Sequence, residues 1–210
     1  MFNGRPSAFS PFGNLSGYNM LGTGDFSHDG NADIIWQNKT TGMLEIWNMK
    51  DGRISSDIQY GNLSAYNLIG TNDLNHDGST DIIWQNKISG VVDVWFMGGG
   101  HMIADYNYGN MQGFKLLAAG DYNHDGNNDL LWQDKSTNEI FDWIISPSAG
   151  RFTGDSTIYG AAASDFNVIG KGDFFHTGAT ALVWQNTTIH QTEIWEPNHS
   201  VVSQHDFFIV

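Results

Sequence analysis

The chain has 210 residues, enough to bury a sizeable core and a length that fits a single all-β domain. Its 23 acidic and 9 basic residues give a formal net charge of −14, which argues against nucleic acid or an anionic membrane surface as a partner. The absence of cysteine excludes disulfides, and no apolar run approaches the length of a membrane span.

The composition predicts many short strands joined by tight turns. The chain contains 25 Gly, 13 Phe, 8 Trp and 7 Tyr, and sequence patterns typical of helices are almost absent. Dipeptides such as Asp29-Gly30 and Asp51-Gly52 favour the turns that join antiparallel strands. We therefore expect an all-β fold.

The sequence repeats with a period of about fifty residues. Asp25, Asp73 and Asp121 follow one another at intervals of 48 residues, and Asp173 comes 52 residues later. Each repeat holds two tryptophans eleven residues apart: Trp36 and Trp47, Trp84 and Trp95, Trp132 and Trp143, Trp184 and Trp195. This regularity divides the chain into repeats at about 18–65, 66–113, 114–165 and 166–210.

Within the first repeat we predict four strands. The first runs from Tyr18 to Gly24, the second from Asp33 to Asn38, the third from Met43 to Met49 and the fourth from Ile54 to Tyr60, after a turn at residues 50–53. The first strand ends in small residues, which suits the crowded inner strand of a radial array. Four antiparallel strands per repeat of this period are typical of a β-propeller blade.

The two ends of the chain align with outer strands. Residues 4–19 match residues 52–67, so residues 1–17 are predicted to form the outer strand of an incomplete unit, or an arm. Residues 200–210 are predicted to supply the fourth strand of the last repeat. Two arrangements stay open: a ring of four blades with an N-terminal arm, or a section of an array that closes with further repeats or a second copy.

A polar loop follows the first strand of each repeat. In the first repeat it runs from Asp25 to Asp33, with oxygen-bearing side chains at positions 1, 3, 5 and 9 and Gly30 at position 6. Alternate side chains of such a curled loop point inward as hard oxygen ligands, and position 7 offers a backbone carbonyl. The spacing therefore predicts a Ca²⁺ site.

The loop differs from an EF-hand at its end. An EF-hand closes with a bidentate Glu at position 12 and continues into a helix. Here position 12 is a tryptophan in a β-favouring run such as Ile34-Ile35-Trp36, so we expect the loop to join two strands. The closing carboxylate is expected from the ninth position, which is Asp33, Asp81 or Asp129.

These loops and their period resemble the FG-GAP or VCBS-type repeats that build calcium-binding β-propellers, including the head domain of integrin α subunits. The resemblance covers roughly residues 13–200 and rests on the pattern Asp-x-(Ser/Asn)-x-Asp-Gly-x-x-Asp followed by a β-run. It implies an ion in the loop between the first and second strands of a blade. The implied ligands, with position 7 acting through its backbone, are Asp25, Ser27, Asp29, Asn31 and Asp33; Asp73, Asn75, Asp77, Ser79 and Asp81; and Asp121, Asn123, Asp125, Asn127 and Asp129. In the fourth loop Phe175, Thr177 and Ala181 replace three ligands, and we expect no ion there.

Histidine holds loop position 4 in all four repeats, as His28, His76, His124 and His176. A ring of four imidazoles can in principle bind a transition metal or respond to pH. Position 4 normally points outward and we expect the loops to lie apart, so the sequence favours solvated turn residues.

A second candidate site lies at the second tryptophan of each pair. Acidic residues stand two positions before three of these tryptophans, on the same strand face. An aromatic ring beside a carboxylate can grip a sugar or a cationic group. The candidate ligand-binding residues are Trp47 with Glu45, Trp95 with Asp93, Trp143, and Trp195 with Glu193. The first tryptophan of each pair is expected in the core.

No catalytic residues are predicted, because the chain lacks a nucleophile elbow, a phosphate loop and a zinc motif. We predict a non-catalytic recognition or adhesion module with three structural Ca²⁺ ions and a protein or glycan ligand. Calcium is most useful where it is millimolar, which favours an extracellular or cell-surface location. Two alternatives stay open: a multivalent lectin with one sugar pocket per blade, and a polysaccharide-active enzyme or its accessory domain.

Overall fold

A computed structural model describes residues 12–123, 125–146, 151–152, 158–162 and 165–196. These residues form strands and turns and no helix, and the strands assemble into antiparallel sheets arranged as the four blades of a β-propeller. The predicted fold class is confirmed. Within the same ranges, no helix has the length and hydrophobicity needed to cross a membrane.

Blades 1 and 2 each contain four consecutive strands in sheet order. Blade 1 consists of β1 (Tyr18–Gly24), β2 (Asp33–Asn38), β3 (Met43–Lys50) and β4 (Arg53–Asn62). Blade 2 consists of β5 (Tyr66–Asn72), β6 (Asp81–Asn86), β7 (Val91–Gly98) and β8 (His101–Asn110). The first two strands have the predicted bounds, whereas β3 and β4 are slightly longer than predicted. Asp51 and Gly52 close the β3–β4 hairpin with φ values of 50° and 72°, which fits the predicted tight turn.

Blades 3 and 4 are less regular. Blade 3 consists of β9 (Phe114–Gly120), β10 (Asp129–Asp134), β11 (Glu139–Trp143) and β14 (Ile158–Ala161), and β12 (Ile145–Ser146) pairs with β13 (Arg151–Phe152) in a separate small sheet. Blade 4 contains β15 (Phe166–Gly172), β16 (Ala181–Asn186) and β17 (Thr192–Trp195). The fourth strand predicted at 200–210 and most of the predicted N-terminal strand lie outside the described residues, and residues 12–17 belong to no strand.

The first strand of every blade carries a β-bulge followed by a small residue. The register shifts just before Gly22, Gly70, Ala118 and Gly170. A Cβ atom added to Gly22 would lie 2.7 Å from Leu68 of the next blade, and one added to Gly70 would lie 3.2 Å from Leu116. Small residues are therefore needed where neighbouring inner strands approach each other.

The hydrophobic core is divided among the three junctions between consecutive blades. At each junction the residue at loop position 2 and the second strand of one blade pack against the second strand of the next. Buried members are Phe26, Ile35, Ile82 and Trp84 between blades 1 and 2; Leu74, Ile83, Leu130 and Trp132 between blades 2 and 3; and Tyr122, Leu131, Leu182 and Trp184 between blades 3 and 4. Each blade is therefore stabilised mainly by burying its faces against its neighbours.

Candidate metal loops and tryptophan pairs

Each predicted metal loop joins the first and second strands of its blade. We call residues 25–33 loop 1, 73–81 loop 2, 121–129 loop 3 and 173–181 loop 4. Glycine at position 6 has a positive φ in all four loops, between 82° and 88°, so the loops curl as the pattern predicts. Backbone hydrogen bonds connect neighbouring loops, from Thr80 N–H to the Asp25 carbonyl at 2.8 Å and from Thr180 N–H to the Asp121 carbonyl at 2.9 Å.

The aspartate at loop position 9 ties the loop to the third strand of its blade. All three of these aspartates, Asp33, Asp81 and Asp129, are fully buried. The Asp81 carboxylate accepts hydrogen bonds from Leu74 N–H at 2.8 Å and from Met97 N–H at 2.9 Å. In loop 1 the equivalent donors are Phe26 N–H at 2.9 Å and Met49 N–H at 2.7 Å. The ninth-position side chain is therefore part of the blade core as well as a predicted ligand.

Burial makes the charged form of these carboxylates unfavourable. Desolvation raises the pKa of Asp81 from 3.8 to about 7, and the nearby charges of Asp77 and Asp73 add to the rise. Burial also raises the pKa of Asp33. A divalent cation beside such a group favours the ionised form and lowers its pKa. The interior ends of the loops are thus places where a cation would relieve an electrostatic cost.

The aspartate at loop position 1 leaves oxygen atoms unsatisfied in loops 2 and 3. One oxygen of Asp73 accepts a hydrogen bond from Gly78 N–H at 3.0 Å, and one oxygen of Asp121 accepts from Gly126 N–H at 2.9 Å. The second oxygen, Oδ1, is buried in both residues and has no hydrogen-bond partner among the described residues. Buried acceptors are nearly always satisfied, so these two atoms fit an oxygen-coordinating cation.

The side chains at positions 3, 5 and 7 are engaged with one another. In loop 2, Asn75 Oδ1 accepts from Asp77 N–H at 3.1 Å, and Asp77 Oδ1 accepts from Ser79 N–H at 2.8 Å. Over the ranges that the structure describes, no three His, Cys, Asp or Glu side chains gather as a metal site. The loops hold the predicted oxygen donors, but side chains at positions 3 and 5 would have to turn inward for five donors to converge.

Loop 4 keeps the shape of the other loops without their ligands. Asp173 accepts hydrogen bonds from Thr177 N–H and Gly178 N–H, both at 3.1 Å, and Ala181 takes the buried ninth position with no exposed surface. The Thr177 hydroxyl donates to Glu196 at 3.0 Å. The loop conformation therefore depends on its backbone and on the first-position aspartate, and a carboxylate at position 9 is not required for it.

The histidines at loop position 4 adopt a left-handed backbone, with φ of 56° at His28, 57° at His76 and 56° at His176. The imidazole of His28 lies over Gly78 in loop 2, where an added Cβ atom would come within 1.8 Å of its Cε1 atom. The expectation that the loops lie apart is therefore wrong for loops 1 and 2. His124 lies outside the described residues.

The two tryptophans of each repeat contact each other, with ring centroids 5.4, 5.5, 5.2 and 6.3 Å apart in blades 1 to 4. An aromatic ring from the preceding segment packs on the second tryptophan. These contacts are Phe12 with Trp47 at 5.9 Å, Tyr60 with Trp95 at 5.3 Å, Tyr108 with Trp143 at 6.4 Å, and Tyr159 with Trp195 at 5.5 Å. Phe12 thus occupies the place that the outer strand of a preceding blade would fill, which agrees with the alignment of residues 4–19 with residues 52–67.

The candidate ligand-binding tryptophans differ in exposure. Trp47 and Glu45 are both only 7% exposed, whereas Trp95, Trp143, Trp195, Asp93 and Glu193 are half-buried. The first tryptophans Trp84, Trp132 and Trp184 are buried as predicted, but Trp36 is half-buried. In blade 3, Phe141 stands where the other blades carry the acid, and buried Asp142 accepts a hydrogen bond from the Tyr159 hydroxyl at 2.6 Å.

A second acid beside the tryptophan was not predicted. Asp57 lies opposite Trp47 and Asp105 lies opposite Trp95 in the strand pairing. In blade 2, burial and the charge of Asp105 raise the pKa of Asp93, while Asn107 and Tyr66 donate hydrogen bonds that lower it. Burial raises the pKa of Asp105 as well. The sequence does contain a signal for this second acid, because Asp57 and Asp105 are separated by the 48-residue repeat interval.

A cleft of about 330 Å³ lies among the inner strands of blades 2, 3 and 4. Ile69, Leu116 and Val168 line it together with Lys171, whose ammonium group donates to the Ala119 carbonyl. Burial lowers the pKa of Lys171. Strand β1 does not contribute to this lining.

The chain was compared with models of protein families, with curated proteins and with solved structures, and none of them matched. The resemblance to FG-GAP and VCBS-type repeats therefore stays a prediction, carried by the loop spacing and the repeat period. The propeller architecture stands on the strand order and blade junctions described above.

Proposed function

We propose that the chain is a non-catalytic β-propeller stabilised by three Ca²⁺ ions, and that it serves as an extracellular or cell-surface recognition or adhesion module for a protein or glycan. Two features support this function. The loops combine buried carboxylates with unsatisfied oxygen atoms, and blade 2 carries a half-buried tryptophan between two carboxylates.

The observation that carries the calcium assignment is the pair of buried, unsatisfied oxygen atoms on Asp73 and Asp121. Each belongs to a loop whose ninth-position aspartate is also fully buried. Oxygen atoms in this situation are costly without a partner, and Ca²⁺ accepts six to eight oxygen ligands in flexible geometry. Within one loop, a cation bound by the carboxylates at positions 1 and 9 would give the unsatisfied oxygen a partner and would also neutralise the buried charge.

The ions would be held by the three predicted ligand sets, with loop positions 1, 3, 5 and 9 contributing side chains and position 7 its backbone carbonyl. A bound ion supplies neutralising charge and cross-links the loop. Because Asp81 also bonds to Met97 N–H, that cross-link extends to the third strand. The ion therefore has a structural role in this proposal.

The test compares one loop that is expected to bind with one that is not. Asp121→Asn removes a charge from loop 3, and Asp173→Asn makes the same change at the same position of loop 4. Thermal unfolding with excess Ca²⁺ and with EDTA should differ strongly for the wild-type protein and for Asp173→Asn. At 100 times its dissociation constant one ion contributes about 2.7 kcal/mol, or roughly 5–11 °C for a chain of this size.

Asp121→Asn should lose one such increment. Equal calcium responses in both variants would contradict the assignment of the ion to loop 3. A wild-type melting temperature that does not change with EDTA would contradict the calcium proposal as a whole.

The ligand surface that we favour is the acidic edge of blade 2. Asp93 and Asp105 flank Trp95 on neighbouring strands, and the tryptophan is half-buried. Two carboxylates beside an aromatic ring suit a Lys or Arg side chain of a protein ligand, or the hydroxyl groups and ring face of a sugar. The counterparts Trp47 and Glu45 in blade 1 are buried, and blade 3 lacks the acid. These differences favour selected blades over one equal pocket per blade.

Binding can be tested with a glycan array and with Lys-rich and Arg-rich peptides. Asp105→Asn should weaken binding of the recognised probe at least tenfold, because it removes one of the two charges beside Trp95. Asp57→Asn, the same change in blade 1, should leave binding within twofold. A loss of binding in both variants, or in neither, would contradict the blade 2 surface.

A further inference from the structure

Blade 4 exposes the face that the other three blades bury. Phe174 at loop position 2 is 46% exposed, whereas its counterparts Phe26, Leu74 and Tyr122 have no exposed surface. Ile194 of β17 is 39% exposed, whereas its counterparts Ile46 and Val94 are fully buried. We call this the trailing face of blade 4. In the other blades the same positions are covered by the next blade.

Blade 1 exposes the opposite face, which we call its leading face. Met20 is 57% exposed, whereas its counterparts Leu68 and Leu116 pack into the junctions with the preceding blades. Trp36 is half-buried, whereas its counterpart Trp84 has no exposed surface. The chain therefore carries both halves of a blade junction, one on blade 4 and one on blade 1, in addition to its three complete junctions.

The three complete junctions show what each half accepts. Leu68 of blade 2 fills the space at Gly22 of blade 1, and Leu116 of blade 3 fills the space at Gly70 of blade 2. At Gly170 of blade 4, an added Cβ atom would meet only Val183 of the same blade, at 3.7 Å. Met20 of blade 1 is the residue equivalent to Leu68 and Leu116, and it has no preceding blade to pack against among the described residues.

At every complete junction, loop position 8 donates a hydrogen bond to the position 1 carbonyl of the preceding loop; between loops 2 and 3 the donor is the Asn128 side-chain amide, which lies 2.7 Å from the Asp73 carbonyl. The bond from Thr80 N–H to the Asp25 carbonyl joins loops 1 and 2, and the bond from Thr180 N–H to the Asp121 carbonyl joins loops 3 and 4. The equivalent bond from Ala32 N–H to the Asp173 carbonyl is not formed among the described residues. Ala32 belongs to blade 1 and Asp173 to blade 4, and both residues are exposed.

We propose that two copies of the chain associate head to tail, with the trailing face of blade 4 in each copy packed against the leading face of blade 1 in the other. Met20 of one copy then occupies the space at Gly170 of its partner, and Ala32 N–H of one copy donates to the Asp173 carbonyl of the other. A contact between two different faces closes when the rotation completes a ring. Two copies give eight blades, which lies within the range of known propellers.

The association can be tested by light scattering and sedimentation of the full chain in calcium-containing buffer. We expect a single species of about twice the 23.3 kDa of one chain. Gly170→Leu should convert this species to single chains, because the added Cβ atom makes only ordinary contacts within blade 4 while the larger side chain occupies the place of Met20. Phe174→Asp should do the same, since it places a charge on the trailing face at an already exposed position.

Ile88→Asp is the matched control, because Ile88 is 83% exposed in a turn away from both faces. It should leave the association unchanged. A wild-type mass of one chain, or a ladder of species larger than two chains, would overturn the proposal. Persistence of the dimer in both Gly170→Leu and Phe174→Asp, with circular dichroism showing both variants folded, would also overturn it.

Discussion

Replacing Asp81 by asparagine separates the two roles of this side chain, as a buried hydrogen-bond acceptor and as a predicted calcium ligand. The carboxylate accepts hydrogen bonds from Leu74 N–H and Met97 N–H. Asparagine has nearly the same size but offers one oxygen and carries no charge. The substitution should therefore stabilise the calcium-free fold and lose that advantage when calcium is present.

The magnitudes follow from burial. A rise in pKa from 3.8 to about 7 means that the ionised Asp81 costs the calcium-free fold roughly 4 kcal/mol at pH above 7. Loss of one acceptor for a buried N–H costs about 1–3 kcal/mol. In EDTA the variant should thus be more stable than wild type, by about 1–3 kcal/mol. With Ca²⁺ at 100 times its dissociation constant, wild type gains about 2.7 kcal/mol at this site and the variant does not, so the difference should shrink or reverse.

Urea unfolding of both proteins, with EDTA and with Ca²⁺, measures these differences. The raised pKa also gives a pH test: since the folded state holds the proton that the unfolded state releases near pH 4, the stability of calcium-free wild type should fall as pH rises from about 4 to 7. Asp81→Asn should lack this component. A variant that is equally destabilised with and without calcium, at every pH, would refute the reasoning.

Two further substitutions test the blade packing and the acidic edge. Asp105→Asn should raise the melting temperature at pH 7, because it relieves the repulsion of Asp93, and the gain should shrink as the pH falls through the raised pKa values of the two acids. An unchanged melting temperature at pH 7 would contradict this prediction. Gly120→Ala should cost about 1–3 kcal/mol in urea unfolding, because the new Cβ atom would lie 2.4 Å from the Thr180 side chain. Gly113→Ala, with open space around it, should be neutral, and equal costs for both would contradict this account.

Much of the fold could be predicted because the same sequence pattern occurs in each repeat and indicates the same strands each time. The bounds of β1 and β2 follow from β-favouring runs next to the polar loop, and they recur at Tyr66–Asn72 and Asp81–Asn86. The small residues at Gly22 and Gly70 indicated crowding, and the structure shows the neighbouring leucines in contact range. Local pattern and tertiary packing agree at these positions.

Other features depend on contacts that a single repeat does not encode. The left-handed backbone of His28 and its position over Gly78 arise where two loops meet. Asn75 and Asp77 form hydrogen bonds with each other. The spacing of the loop residues does not distinguish this arrangement from one in which both side chains bind an ion. The small β12–β13 sheet breaks the pattern of the other blades, and the spacing of the repeats gives no signal for it.

The exposure of the second tryptophans could not be predicted because it depends on the neighbouring segment. Phe12 packs on Trp47 and Tyr60 packs on Trp95. Trp47 is nevertheless buried, with 7% of its surface exposed, whereas Trp95 is only half-buried. Asp57 and Asp105 lie beside these tryptophans because the third and fourth strands pair in that register. The alignment of repeats shows that the two acids are equivalent, but it does not show that they lie opposite a tryptophan.

The central claim, that three aspartate-lined loops hold calcium, is tested most directly by counting the ions that one folded chain binds. Equilibrium dialysis of the calcium-free protein against Ca²⁺, followed by elemental analysis, gives this number without reference to stability or ligand binding. The account predicts three ions per chain in the wild type and in Asp173→Asn, and two in Asp121→Asn. A wild-type chain that binds none would contradict it.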